Sequence, residues 1–175
     1  MKQIRKGTFE TNSSSTHSIC VPREERFMDI PEKLEIDIKN YEFGWEHEKY
    51  SSVDEKLAYI VMGITARAYS QGFMESCKEM GQLLETIGKW VKHVEIHGLF
   101  FECYEGRSYI EEEDYGYVDH ASEMSELLDA VLNDENELKR YLFSKDAFIL
   151  TGNDNEESDV DIKVSYPYND YYKGN

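Results

Sequence analysis

Apolar residues recur every three to four positions after Val53: Leu57, Ile60, Val61, Ile64 and Ala68 fall on one helical face. Ser52 stands just before this run and Glu55 three residues later, the signature of a capping box that opens a helix over about 53–70. Gln71-Gly72 interrupts the pattern. Met74, Cys77, Leu83, Leu84 and Ile87 then define a second helix that ends or bends near Gly88. Either Trp90, Val91 and Val94 extend its apolar face, or Val94–Tyr104 supplies a strand. Further on, Met124, Leu127, Leu128 and Val131 repeat at helical spacing, with Asp119 or Ser122 able to cap them. Asp134 and Glu137 form another capping pair ahead of Leu138, Tyr141 and Leu142.

Alternation with period two marks the strands. Leu34-Glu35-Ile36-Asp37-Ile38 alternates apolar with acidic, as a half-buried strand does, and Val160 to Val164 repeats the pattern. Gln3–Phe9 and His17–Val21 read as strands on either side of a polar loop, Glu10–Thr16, and Ala147–Leu150 reads as a buried strand. Turn signals at Glu105-Gly106-Arg107 and Asp114-Tyr115-Gly116 suit a hairpin of aromatic strands. Tyr41–Tyr50 shows no clear period. The expected fold is α+β, a single domain over 1–165 with an antiparallel sheet and three to four helices, and a loose Tyr/Asn/Gly-rich tail over 166–175.

Charge changes this picture more than composition does. The 175 residues carry 36 Asp+Glu against 19 Lys+Arg, a formal net charge of −17. Residues 1–100 hold 16 acidic and 13 basic side chains, a net of −3, and residues 101–175 hold 20 and 6, a net of −14. Such a field repels nucleic acid and anionic membranes and attracts basic surfaces. Aromatics make up 13% of the chain, so its acidity does not come with the aromatic-poor composition of a disordered segment. No run approaches the ~20 apolar residues needed to span a bilayer, and the N-terminal stretch lacks a signal peptide's apolar core. Cys20, Cys77 and Cys103 are far apart and odd in number, which points to reduced, mostly buried thiols in a cytoplasmic protein.

The most unusual stretch is Asn12-Ser13-Ser14-Ser15-Thr16-His17, whose small polar side chains offer an anion many donors, with His17 as a base beside a serine such as Ser14. A hydrophilic turn accounts for the same residues, and the glycine and lysine of a P-loop are missing. The longer run Lys6-Gly7-Thr8-Phe9-Glu10-Thr11-Asn12-Ser13-Ser14-Ser15-Thr16-His17-Ser18-Ile19 resembles the opening of a group of small proteins from bacteria, their phages and mobile elements. Tyr117-Val118-Asp119-His120-Ala121-Ser122 and Gly152-Asn153-Asp154-Asn155 resemble shorter signatures of that group. The resemblance implies a phage or mobile-element context and carries no activity with it. By analogy of class, small acidic proteins of such elements act as inhibitors of host defence, anti-CRISPR proteins among them.

Other candidate chemistry is weaker. His93 and His97 are four apart and would share a helix face, but no third and fourth ligand is in view beyond Cys103 or His120, so no metal or cofactor is assigned. Asp119, His120 and Ser122 are explained more simply by a helix cap than by a triad, although His120 ranks beside His17 as a candidate base. Ser158-Asp159-Val160-Asp161 resembles the paired aspartates of nucleotidyltransferases but lacks the preceding Gly-Ser loop, and the EF-hand positions are not met. What remains is a row of carboxylates and tyrosines: Glu111, Glu112, Glu113, Asp114, Tyr115, Tyr117, Glu123, Glu126 and Asp129. Carboxylates arrayed on a folded scaffold imitate phosphates and compete for a basic groove. The expectation is an inhibitory binding protein for a basic nucleic-acid-handling partner, such as a CRISPR effector nuclease. The alternative is an enzyme or binding module for a phosphorylated, nucleotide-like ligand held by the Ser-rich loop.

Overall fold

The computed structural model describes residues 15–44, 48–98, 102–104, 107–109, 116–118, 125–153 and 169–173. It is a single α+β domain, with four α-helices among the described residues. Helix α1 (Val53–Gln71) lies at its centre. Every residue from Lys56 to Ile64 on it is buried, and a helix buried on all sides needs neighbours on all sides. Those neighbours are α2 (Phe73–Ile87), α3 (Ser125–Leu132), α4 (Glu135–Phe143) and the strand β2 (Lys33–Asp37).

The predicted capping box is present: Ser52 Oγ accepts from the Glu55 amide at 3.2 Å, and the Glu55 carboxylate accepts from the Ser52 amide at 2.8 Å. The chain turns from α1 into α2 at Gly72, whose φ of +94° favours a residue without a β-carbon. Asp134 caps α4 by accepting from the amides of Asn136 and Glu137. The Glu137 side chain does not return the bond; it pairs with Arg140 and accepts from Tyr172 Oη at 3.0 Å.

The main sheet has four strands in the order β10 (Asn169–Lys173), β1 (Ser15–Pro22), β9 (Phe148–Asn153), β4 (Lys49–Tyr50), all antiparallel. Strand β1 begins at Ser15, so Ser15 and Thr16 belong to the sheet and not to the polar loop expected there. Strand β9 runs on through Thr151-Gly152-Asn153, past the strand expected over Ala147–Leu150. The tail is not loose over residues 169–173, which pair with β1 from Ser18↔Lys173 to Pro22↔Asn169. The expected strands Gln3–Phe9 and Val160–Val164 lie outside the described residues.

Among the described residues, three two-stranded pairs accompany the main sheet. Strand β2 pairs in parallel with β5 (His93–His97), β3 (Glu42–Phe43) in parallel with β8 (Tyr117–Val118), and β6 (Glu102–Tyr104) antiparallel with β7 (Arg107–Tyr109). The last pair places Arg107, expected in a turn, inside a strand, and residues 105–106 lie outside the described residues. Ahead of β8, Gly116 passes so close to the 3-10 turn Ile38–Asn40 that a β-carbon on it would lie 2.2 Å from the Ile38 carbonyl oxygen. No other residue fits there without displacing that turn. One core joins Ile19 and Val21 of β1, Leu34 and Ile36 of β2, the buried residues of α1 from Val53 to Ile64, and Leu138, Tyr141 and Phe143 of α4.

Candidate functional site

Strand β1 is buried from Thr16 to Pro22 on both of its alternating faces. His17 is 3% exposed, and its ring stacks on Tyr59 of α1 with centroids 5.8 Å apart. Tyr59 also packs edge-on against Phe43 at 5.0 Å. The imidazole is thus part of the interface between sheet and central helix, and is not displayed to solvent. Thr16 is 9% exposed, and Asn12, Ser13 and Ser14 lie outside the described residues, as does His120.

The acidic region is described in part. Glu111, Glu112, Glu113, Asp114, Tyr115 and Glu123 lie outside the described residues. Tyr117 opens β8 opposite Glu42, and Glu126 lies in α3. Asp129, on the same helix, is half-exposed and accepts from Arg67 Nη2 at 2.8 Å. Arg67 is 2% exposed and donates from Nη1 to Glu79 Oε1 at 3.1 Å. This guanidinium forms one wall of a cleft of about 90 Å³ between α1, α2, α3 and α4, lined also by Gln82, Thr86 and Asn133. Its cation already faces two carboxylates, so it presents no open charge to an anionic ligand.

Other described cations are engaged in the same way. Arg23 pairs with Asp170, Arg26 with Glu24, Lys39 with Asp37, Lys78 with Glu75, Lys92 with Glu32 and Lys89 with Glu135. Lys49 lies over the Phe148 ring and Lys139 over Phe27 and Trp90. Lys56 is fully buried, its Nζ 3.3 Å from the Ser144 carbonyl oxygen and 3.4 Å from that of Ala147. Burial lowers its pKa to about 8.

His93 and His97 lie on a strand and not on a helix, and the period of two still puts them on one face. The parallel register sets Lys33 opposite His93, Glu35 opposite Glu95 and Asp37 opposite His97. Leu34 and Ile36 fill the other face of β2 and are buried. On the outer face Lys33 Nζ lies 2.6 Å from Glu35 Oε2 and 3.2 Å from Glu95 Oε2. His93 Nε2 lies 2.6 Å from Glu95 Oε1, and His97 Nε2 lies 3.4 Å from Glu35 Oε1 and 3.7 Å from Glu95 Oε2. The hydrogen bond from Lys33 holds the Glu35 carboxyl below its ordinary range, and the bonds from His93 and Lys33 do the same for Glu95. Sequence reasoning missed Glu35 and Glu95 as companions of the histidines. The signal lay in two alternating segments, but which strand pairs with which is a tertiary fact.

Cys20 is buried and Cys77 is exposed on α2, so the expectation of mostly buried thiols fails at Cys77. Among the described residues, no helix is long and apolar enough to cross a membrane. No family model, curated protein or solved structure matches this chain.

Proposed function

We propose that the chain is a cytoplasmic binding protein of a phage or mobile element that inhibits a basic, nucleic-acid-handling partner, with a CRISPR effector nuclease as the partner class. One observation carries the reading: the lysines and arginines named above are held by carboxylates, aromatic rings or buried carbonyls of the protein's own fold, on a chain whose net charge is −17. Cations held in this way do not gather into a basic patch for a phosphorylated ligand, and the long-range field is anionic. Such a field speeds encounter with a basic groove, and the tyrosines of the 102–137 region supply contact area that phosphates lack. The enzyme alternative gains nothing from a His17 ring stacked inside the protein.

The test is binding and cleavage inhibition with a guide-loaded CRISPR effector at low and high salt. Retention that weakens as salt rises is expected, together with an association rate cut by about tenfold in the triple variant Glu111→Lys, Glu112→Lys, Glu113→Lys. No retention at low salt overturns the partner class. Inhibition unchanged in the triple variant overturns the acidic mimicry.

A further inference from the structure

We propose that the outer face of the β2–β5 pair is a binding site for one divalent transition-metal ion of the zinc class, with Glu35, Glu95 and His97 as its protein ligands. The two carboxylates face each other because the parallel register leaves them no other arrangement. Like charges directly opposed across strands destabilise a sheet unless a cation lies between them, and Lys33 Nζ is within 3.2 Å of both. The pair is therefore built around a cation, and the imidazole beside it changes which cation fits best.

One ligand atom from each of Glu35, Glu95 and His97 lies within 4.8 Å of the other two. An ion held tetrahedrally at about 2.1 Å from nitrogen and oxygen needs ligand atoms about 3.4 Å apart. The His97 nitrogen is 3.4 Å from Glu35 and 3.7 Å from Glu95, so two edges already fit and small side-chain rotations close the third. Water takes the fourth position on this solvent-facing surface. His93, hydrogen-bonded to Glu95, orients that carboxylate as an outer-shell partner does. Mixed imidazole and carboxylate ligands favour zinc-class ions over magnesium or calcium, which take oxygen alone. The incoming ion displaces the Lys33 ammonium.

An acidic chain gathers divalent cations loosely, so the experiment must separate a site from an atmosphere. Zinc chloride is titrated into the full chain carrying Cys77→Ser, to remove an exposed thiol, with millimolar magnesium and ~0.15 M salt throughout. One equivalent at micromolar affinity is expected. His97→Ala and Glu95→Gln each weaken it by at least about tenfold, and Lys33→Met tightens it several-fold by removing the competing ammonium. These side chains point outward, and circular dichroism checks that each variant folds. Unsaturable binding, affinity indifferent to His97→Ala, or weaker binding in Lys33→Met overturns the site. None of these outcomes bears on the proposed partner, because no partner is present.

Discussion

His17 and His97 both sit on strands whose neighbours carry oxygen-bearing side chains, and the two sheets use them in opposite ways. On β1 both faces are covered, so the imidazole at 3% exposure serves as a flat ring stacked on Tyr59. On β5 only the inner face is covered, and the outer face brings His93, Glu95 and His97 against Lys33 and Glu35 within hydrogen-bonding and ion-pairing distance. The residue type does not decide the role. What decides it is whether a second layer removes water from that face, since a solvated imidazole can exchange protons and ligands while a stacked one contributes packing.

The sharpest way to break this comparison is to remove the ring that makes the main sheet's histidine structural. Tyr59 is fully buried between His17 and Phe43. Tyr59→Ala is expected to cost about 3–5 kcal/mol, the range for deleting a core aromatic, read as a lower midpoint in urea with the slope retained. A loss below about 1 kcal/mol would mean that β1 does not depend on α1 for its stability.

A smaller effect tests the charge beneath the same sheet. Lys56 has a folded pKa of about 8 against an ordinary 10.5, so between these values the unfolded chain binds the extra proton. Stability therefore rises with pH across that window, and below about pH 8 the burial penalty is fully present. Lys56→Met removes this titration. The parent is expected to gain on the order of 2 kcal/mol relative to the variant between pH 8 and 10, measured by thermal melts at matched ionic strength. A parent that loses ground over that range would place the ammonium in a stabilising ion pair instead.

Local signals were enough for the helices and half of the ladder. The Ser52–Glu55 box, the break at Gly72 and the Asp134 cap each act within four residues, and all appear where the sequence put them. Alternation at Leu34 and Ile36 likewise revealed the buried face of β2. The failures share a cause. Asn169–Lys173 has a loop-like composition and becomes a strand only because β1 offers an edge. His93 and His97 satisfy both the helical spacing of four and the strand period of two, and pairing with β2 decides between them. Nothing local says that Glu35 will stand opposite Glu95, sixty residues away, or that His17 will meet Tyr59.

The smallest expected effect is the most specific to the outer ladder. Glu35 is held below its ordinary pKa of 4.5, chiefly by the hydrogen bond from Lys33, so its contribution is present above 4.5 and disappears as the carboxyl protonates in the fold. Both partners are exposed, at 51% and 50%, and water and salt screen what they exchange. Glu35→Gln is therefore expected to shift the neutral-pH melting midpoint only slightly, with the difference vanishing on acidification past 4.5 and shrinking in 1 M salt. A difference that persists in acid would show that Glu35 acts through packing instead of charge. The ladder would then be a second structural face like β1, and the contrast between the two sheets would fail.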